Sequence, residues 1–257
     1  MKEPTYGLVL SCGGIRGLAH VGVIKALEEE GIYPSYIAGA SAGAIVGAFY
    51  AAGYSGEDIL AFFHKTSIIS IDKYAYHKPG FIDTDKFHQT FKEYFPEDNF
   101  KSLNKRLFIS ATDILAGKTK FFHEGPLISA ILASAAFPVV LSPMLIDGVL
   151  YADGGITNNF PVEPLLHHCD KIIGVYVNPL REIGAEELTS SGNVLDRAFK
   201  IGMANMSIQK FSHCDLVIAP KKLSRFGTFS MSHLDDAFEI GYEAAKEKLE
   251  DIRKLKE

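Results

Sequence analysis

Ser41 is a serine in a setting that could make its hydroxyl reactive. It lies in the stretch "GASAGAIVGAFYAAG", where a short apolar run precedes it and a helical pattern begins at Ala42. The spacing G-x-S-x-G between a strand and a helix projects a serine hydroxyl from the end of a sheet toward the positive end of the helix dipole, as a nucleophile requires. Close packing of a buried helix through Gly39 and Gly43 would produce the same pattern, so this motif alone leaves both interpretations open.

Asp153 and a glycine loop near the start of the chain could supply the partners of such a nucleophile. Asp153 ends the apolar run "GVLYAD" and is followed by Gly154 and Gly155, although Asp-Gly is also a common β-turn sequence. The loop "SCGGIRG" follows an apolar run and opens a helix. The backbone N–H groups of Gly13 and Gly14 in this loop could therefore bind an anion, including a transient oxyanion.

The same loop does not match a dinucleotide-binding fingerprint. The pattern G-x-G-x-x-G would need glycine where the chain has Cys12, and the acidic residue expected about 20 positions later is missing from "PSYIAG". Arg16 in this loop could support a bound anion electrostatically, or it could be a solvated residue of the first helical turn.

No histidine is placed to complete a Ser-His-Asp triad. An α/β-hydrolase has several strands before its nucleophile and a histidine after its acid, whereas only two strand candidates precede Ser41. The histidines beyond Asp153 have no recognisable catalytic setting, and we interpret His20 and His64 as helix-surface or packing residues. The serine turn therefore lacks its usual partner.

The composition is that of an ordinary globular protein. The 257 residues are 47% hydrophobic and carry a net charge of −5, which disfavours nucleic-acid binding, and we expect one domain spanning residues 1–257. Three cysteines without a C-x-x-C pair indicate a reducing compartment, and the lack of a usable signal peptide predicts a cytoplasmic location. Two uncharged stretches, 35–56 and 125–146, are predicted to be buried core rather than membrane spans.

The elements that would position these groups alternate between strands and helices. Apolar runs predict strands at 6–11, 36–39, 106–113, 118–122, 148–153, 171–177 and 214–220. Helical patterns lie at 18–30, 42–52, 56–65, 84–94 (with Asp83 and Thr84 as cap candidates), 127–136, 194–211 and 234–256. The alternation predicts a largely parallel sheet with helices on both faces, and ligands bind at the carboxyl ends of such strands.

Taken in order, these motifs resemble the patatin-like phospholipases, particularly the compact bacterial members. The matching stretches are "CGGIRGLAHVGVIKALEEEGI", "GASAGAIVGAFYAAG", "ATDILAGKTKFF", "ASAAFPVVLSP" and "DGGITNNFPV". The resemblance covers residues 6–177, and the helix-strand-helix region 193–256 is expected to complete the same domain. It implies a three-layer α/β/α sandwich and a hydrolase that cleaves acyl esters of lipids through a Ser–Asp dyad, without a catalytic histidine, a metal or another cofactor.

The resemblance assigns a role to each matching position. Ser41 would be the nucleophile and Asp153 the general base, with an acyl-serine intermediate. Backbone N–H groups of Gly13, Gly14 and Cys12 would hold the oxyanion. The supporting residues would be Arg16, Gly39, Gly43, Gly154 and Gly155. The family's loop usually opens with glycine where this chain has Cys12, and the cysteine would be strained if that position required a positive φ.

An acyl chain would need an apolar channel beside the serine, and two amphipathic segments could form it or could be ordinary core. The first contains Ile59, Phe62, Phe63, Ile68, Ile69 and Ile71, and the second contains Phe199, Met203, Met206 and Phe211. The expected partner is a phospholipid or another acyl lipid, with peripheral membrane contact. A catalytically silent lipid-binding relative and, less favoured, a nucleotide-binding module are the alternatives.

Overall fold

The structure is a computed structural model that describes residues 4–66, 84–138 (side chains from 87 onward), 140–227 and 233–257. Its strands are β1 (Tyr6–Leu10), β2 (Tyr36–Ala40), β3 (Arg106–Asp113), β4 (Lys118–Phe122), β5 (Met144–Ile146), β6 (Val149–Asp153), β7 (Lys171–Val175) and β8 (Leu216–Ile218). Its α-helices are α1 (Leu18–Glu29), α2 (Ala42–Ala52), α3 (Gly56–Lys65), α4 (Thr84–Tyr94), α5 (Leu127–Ala135), α6 (Gly155–Asn158), α7 (Ser191–Ile208), α8 (Leu234–Lys246) and α9 (Leu249–Lys254). The predicted cap residue Asp83 and the side chain of Thr84 lie outside the described residues.

The described strands form one sheet with the order β5-β6-β3-β2-β1-β7-β8, and β4 pairs with β3 outside this path. The pairs β1–β2, β1–β7, β2–β3 and β7–β8 are parallel. β4 and the β5–β6 hairpin are antiparallel to their neighbours. The predicted α/β fold is therefore confirmed, with a sheet that is parallel at its centre and antiparallel toward one end.

Strand β3 pairs with two different strands along one edge. β2 runs parallel to the first part of β3, so that Ala40 lies opposite Ser110. β6 runs antiparallel to the last part of β3, so that Asp153 lies opposite Ala111. The carboxyl ends of β2 and β6 therefore meet in the middle of β3. Since Ser41 directly follows β2, strand pairing by itself brings Ser41 close to Asp153.

Both faces of the sheet are covered. In β1, Leu8 and Leu10 face a large core that includes residues of α1, α2, α3, α5 and α8, whereas Val9 faces a smaller cluster with Phe160 and Leu165. This alternation follows from the two-residue period of a strand. Phe160 and Val162, together with the 3-10 helix Glu163–Leu165, pack on the second face. Within the described ranges, no helix is both long and apolar enough to cross a bilayer.

Several features differ from the sequence predictions; among them, β7 ends at Val175 rather than at 177 and β8 spans only Leu216–Ile218 rather than 214–220. The helix predicted at 234–256 is divided into α8 and α9 at Lys248, whose φ of −112° and ψ of 21° are not helical. Helix α7 begins at Ser191 rather than at 194 and ends at Ile208 rather than at 211. Strand β5 was not predicted; it joins β6 through Asp147 and Gly148, which both have positive φ, the geometry that a twisted two-residue hairpin requires.

Helices α1 and α8 pack closely because glycines lie where they cross. A Cβ atom on Gly22 would lie 2.1 Å from the carbonyl oxygen of Phe238, and a Cβ atom on Gly241 would lie 2.1 Å from the carbonyl oxygen of Ala19. No side chain can approach a backbone oxygen so closely, so both positions need glycine. Helix α8 is thus an integral part of the core.

We expect Gly22→Ala to destabilise the protein by about 1–3 kcal/mol, because the added methyl group would force α1 and α8 apart. Chemical unfolding in urea measures this change. The matched control is Gly202→Ala on α7, where no described atom lies within 4 Å of an added Cβ. The control should be neutral or stabilising by up to about 1 kcal/mol, since alanine favours a helix over glycine. Equal effects of the two substitutions would contradict the packing argument.

Candidate active site

Ser41 lies at a strained turn between β2 and α2. Its φ of 54° and ψ of −123° lie in a region that residues with a side chain rarely adopt. Its N–H donates to Ser134 Oγ at 2.8 Å, which holds the turn in place. A Cβ atom on Gly39 would lie 2.4 Å from the carbonyl oxygen of Gly43, and one on Gly43 would lie 2.3 Å from that of Leu10. Both flanking glycines are therefore required by close backbone contacts, as the motif indicated.

Ser134 is a residue of this site that the sequence analysis missed. Its buried hydroxyl accepts the Ser41 N–H and donates to the carbonyl oxygen of Ser110 at 2.6 Å. It thus ties the serine turn to β3, the strand that also pairs with β6. The stretch "ASAAFPVVLSP" contains Ser134, but a single serine in an apolar helix gives no pattern from which this role could be read.

The glycine loop after β1 lies beside the serine turn. A Cβ atom on Gly17 would lie 2.6 Å from the Cβ of Ala42, so the loop packs against the first turn of α2. The N–H groups of Gly13 and Gly14 have no hydrogen-bond partner among the described residues, and both glycines line the same cavity as Ser41. These donors are available to an oxyanion that forms near the serine.

Cys12 does not have the role that the resemblance assigned to its backbone. Its N–H donates to the carbonyl oxygen of Asn159 at 3.2 Å and so is not available to an oxyanion. The positive φ in this loop, 55°, belongs to Gly14, and Cys12 does not have a positive φ. The cysteine therefore introduces no backbone strain.

The Asp153 carboxylate is buried and only partly hydrogen-bonded. Asp153 is only 2% exposed. Its Oδ1 accepts hydrogen bonds from the Gly155 N–H at 2.7 Å and from the Cys12 thiol at 3.6 Å. Oδ2 has no hydrogen bond to any described residue, although the Ser41 hydroxyl is near enough to lower the Asp153 pKa. Burial outweighs the lowering effects of Ser41, Gly155 and Cys12, and raises this pKa from 3.8 to about 6.

The two glycines after Asp153 are needed for contact with neighbouring strands and with the loop. A Cβ atom on Gly154 would lie 2.2 Å from the carbonyl oxygen of Ser110. A Cβ atom on Gly155 would lie 2.7 Å from the sulfur of Cys12. Asp153 therefore leads into the short helix α6 rather than into the β-turn that its Asp-Gly sequence also allowed.

His20 and Arg16 are both buried near the glycine loop. His20 Nε2 donates to the carbonyl oxygen of Ser11 at 2.8 Å, and burial lowers the pKa of this histidine to about 4, so it is a neutral packing residue. The Arg16 side chain is not solvated: its guanidinium donates to the carbonyl oxygen of Phe226, and Arg16 also lines the cavity. Electrostatic support of an anion by Arg16 remains a prediction.

A cavity of about 280 Å³ opens over Ser41 and Asp153. This volume is close to the lower end of the range for small-molecule sites, about 300–1,000 Å³. One part of its wall is apolar, with Ile45, Phe137, Val140, Leu141, Phe199 and Met203. Another part is polar or charged, with Asn178, Arg181, Glu187, Asp196, Arg197 and Lys200. The cavity can therefore hold a molecule that has both an apolar and a polar portion.

Only two of the described residues predicted for the apolar channel line the cavity. Phe199 and Met203 line the cavity, as expected for the second segment. Phe62 and Phe63, with Ile59, are instead buried in the main core, where Phe62 packs against Phe49 with ring centroids 4.5 Å apart.

The other members of the two segments do not line the cavity either. Phe211 packs against Phe160 and Tyr176 with centroid distances of 5.2 and 5.3 Å, and Met206 is exposed. Ile68, Ile69 and Ile71 lie outside the described residues. Among the residues that the structure describes, no group of three or more His, Cys, Asp or Glu side chains is arranged to hold a metal ion.

Comparison with protein families and curated proteins shows similarity to known lipid hydrolases. The model of the family described as "Patatin-like phospholipase" matches residues 8–166. An uncharacterised NTE family protein of Mycobacterium bovis is 37% identical over 182 residues, which are 69% of this chain and 50% of that protein. A lysophospholipase, nte1, of Emericella nidulans is 24% identical over 286 residues, 96% of this chain and 18% of that protein. The chain spans about half the length, or less, of these relatives.

Solved structures share the fold at low sequence identity. VipD from Legionella pneumophila has a TM-score of 0.59 and 15% identity, and the match covers 97% of this chain and 67% of VipD. ExoU in its complex with SpcU from Pseudomonas aeruginosa has a TM-score of 0.50 and 17% identity, covering 98% of this chain and 52% of that chain. At these identities the likeness concerns the fold alone.

We expect Asp153→Asn to change how stability depends on pH. Because the Asp153 pKa is raised to about 6 in the folded protein, the contribution of this carboxyl to stability is complete below about pH 4 and is lost as the pH rises through 6. The loss is about 3 kcal/mol, from a shift of about 2 pKa units. The asparagine variant lacks this loss, so its unfolding free energy relative to wild type should rise by that amount between pH 4 and pH 8. Urea unfolding at both values tests this, and a pH-independent difference would contradict it.

Proposed function

The chain belongs to the patatin-like phospholipase family, and on that premise we propose that it cleaves the carboxylic ester bonds of lipids, with Ser41 as nucleophile and Asp153 as general base. The observation that carries the proposal is the meeting of the β2 and β6 ends on β3, which puts a strained serine beside a buried carboxylate. Membership of a family of lipid hydrolases supports ester hydrolysis as the class of reaction. The substrate would be a phospholipid or lysophospholipid.

In the proposed reaction, Ser41 Oγ attacks the carbonyl carbon of the ester while its proton passes to Asp153. Oδ2 is the suitable acceptor because Oδ1 is already hydrogen-bonded to Gly155 and Cys12. The N–H groups of Gly13 and Gly14 stabilise the negative charge on the carbonyl oxygen. Asp153 then gives the proton to the alkoxide of the departing alcohol. The acyl group stays bound to Ser41 as an acyl-serine.

Water completes the cycle. Asp153, again a carboxylate, takes a proton from a water molecule, which attacks the acyl-serine carbonyl. As the bond between the acyl carbon and Ser41 Oγ breaks, the carboxylic acid leaves and Asp153 returns the proton to Ser41 Oγ. The raised pKa, about 6, makes Asp153 a stronger base than an ordinary aspartate, while leaving most of it ionised at neutral pH. Burial thus suits the carboxylate to work without a histidine.

The substrate would reach the site from a membrane surface. Helix α7 lines the cavity with Phe199 and Met203, and it also presents an apolar stripe that is exposed to solvent. The stripe consists of Val194, Leu195, Ala198, Ile201 and Ile208, which recur at helical spacing. Apolar side chains in such a patch mark a contact surface, and its position beside the cavity favours lipid. The proposal includes a cytoplasmic location with peripheral membrane contact.

Two alternatives predict different behaviour. A catalytically silent relative would bind lipid but would not react with an electrophile at Ser41. A nucleotide-binding module would be stabilised by nucleotide, and its unfolding temperature would rise when nucleotide is added.

We expect Ser41→Ala and Asp153→Asn each to reduce ester hydrolysis by about 10³-fold or more, since each removes a group that acts directly in the reaction. Hydrolysis of phospholipid and of a short-chain nitrophenyl ester measures the loss. A fluorophosphonate probe should label wild type but not Ser41→Ala. Near-full turnover by Asp153→Asn would disprove the dyad, and an unlabelled, inactive wild type would favour the silent relative.

We expect Leu195→Asp combined with Ile201→Asp to lower hydrolysis of phospholipid vesicles by about 10-fold or more, because two apolar contacts with the bilayer are lost. Turnover of a water-soluble ester should be unchanged. The control is Leu115→Asp, which alters a residue of similar exposure, 69% against 72% for Leu195, outside α7. If the α7 variant changed the sedimentation of the protein but not vesicle hydrolysis, the stripe would belong to a contact between two copies of the chain.

A further inference from the structure

Cys12 has a fixed backbone and a side chain directed at Asp153. Its N–H donates to Asn159, and its carbonyl oxygen accepts hydrogen bonds from Asn178 Nδ2 at 2.6 Å and from Ser11 Oγ at 3.0 Å. Two of these bonds tie Cys12 to distant segments of the chain, at Asn159 and Asn178, so the Cα of Cys12 has little freedom. Its Sγ lies 3.6 Å from Asp153 Oδ1, and the residue is only 5% exposed.

The Cys12 thiol is suited to donate a hydrogen bond rather than to act as a nucleophile. Burial, and next the charge of the Asp153 carboxylate, raise the pKa of the Cys12 thiol well above its ordinary value. It therefore stays protonated at neutral pH. A thiolate would be a nucleophile, but a protonated thiol is a weak hydrogen-bond donor, and Asp153 Oδ1 is the acceptor within reach.

We propose that Cys12 is a positioning residue for Asp153: its thiol and the Gly155 N–H together hold Oδ1, which leaves Oδ2 as the oxygen that takes the Ser41 proton. This inference rests on the proposed function. It replaces the oxyanion role of the Cys12 N–H with a role for the side chain. A glycine at this position, as the family usually has, would leave Oδ1 with a single donor.

The steric fit around the thiol supports this role. A Cβ atom at Gly155 would lie 2.7 Å from Cys12 Sγ and 3.0 Å from Asp153 Oδ1, so the sulfur fills the space that glycine leaves open. The thiol thus also covers the carboxylate on the side of the glycine loop. The Cys12 thiol therefore both donates a hydrogen bond to Asp153 Oδ1 and shields that oxygen.

Few other groups influence the ionisation of Asp153. The groups that face it are the Cys12 thiol from the loop after β1, the Ser41 hydroxyl from the β2–α2 turn and the Gly155 N–H at the start of α6. Charged residues elsewhere in the cavity wall are Arg16, Arg181, Glu187, Asp196, Arg197 and Lys200. Burial raises the Asp153 pKa and these three groups lower it, so loss of one donor should be visible.

The test is the pH dependence of kcat/KM on a water-soluble ester, which reports the ionisation of the base in the free enzyme. Loss of the donor in Cys12→Ala should move the acidic midpoint to higher pH, by about 0.5–1 unit. We expect kcat to fall about 3- to 10-fold with KM within about 2-fold, since the thiol acts on the base and not on the substrate. Cys12→Ser keeps a donor on a shorter side chain, so its midpoint should lie between those of wild type and Cys12→Ala.

The matched control is Cys214→Ala, which removes a thiol that packs against Gly174 and away from Asp153. It should leave the midpoint and kcat unchanged. An unchanged midpoint in Cys12→Ala, with only lower thermal stability, would reduce Cys12 to a packing residue. A midpoint at lower pH would mean that water enters when the thiol is removed, and this result would also overturn the proposal.

A second measurement does not depend on catalysis. The ¹³C NMR signal of the Asp153 carboxyl, assigned by its absence in Asp153→Asn, can be titrated in the Ser41→Ala protein with and without Cys12→Ala. The same upward shift of the midpoint should be seen. If Ser41→Ala still hydrolysed esters, the proposed function would fail while this titration still decided whether Cys12 acts on Asp153. If hydrolysis behaved as proposed but the titration curves coincided, only the role of Cys12 would be wrong.

Discussion

The pairing of two strands with one edge of β3 is the constraint on which the candidate site depends. β2 and β6 approach from opposite directions, and their carboxyl ends meet where Ser110 and Ala111 are neighbours. A slip of one residue in either strand would displace its last residue and turn its side chains to the other face of the sheet. The backbone register of a sheet that is buried on both faces, rather than either turn, therefore sets the separation of Ser41 and Asp153.

Unfavourable features are concentrated at this junction, and the surrounding structure supports each of them. The positive φ of Ser41 costs on the order of 1–3 kcal/mol, and Ser134 holds the turn through a hydrogen bond to its N–H. Asp153 is a buried carboxylate, and the Gly155 N–H and the Cys12 thiol offset part of the cost of burial. Strain and incomplete solvation of this kind are expected at functional sites, where local structural rules are broken and compensated elsewhere.

The sequence was a good guide to local elements and a poor guide to what their apolar faces contact. Helix α3 and strand β3 have their predicted bounds, because capping residues and hydrophobic period act within a few positions of the chain. Phe62 and Phe63 were candidates for a substrate channel but lie in the core beside Phe49, whereas Phe199 and Met203 do line the cavity. An apolar helix face fits a core or a channel equally well, so its period cannot distinguish them.

The sequence by itself determined the chemical groups of the site: a serine between glycines, a carboxylate at a strand end and a loop of N–H donors. These could be predicted because tight turns demand glycine, and because a strand followed by a helix exposes the groups at their junction. Only the tertiary structure decided that Asn159 takes the N–H of Cys12, that the thiol contacts Asp153 and that Ser134 holds Ser41. Each donor forms a hydrogen bond with the acceptor that the packing of the chain brings near it. Here those acceptors come from segments far apart in the sequence.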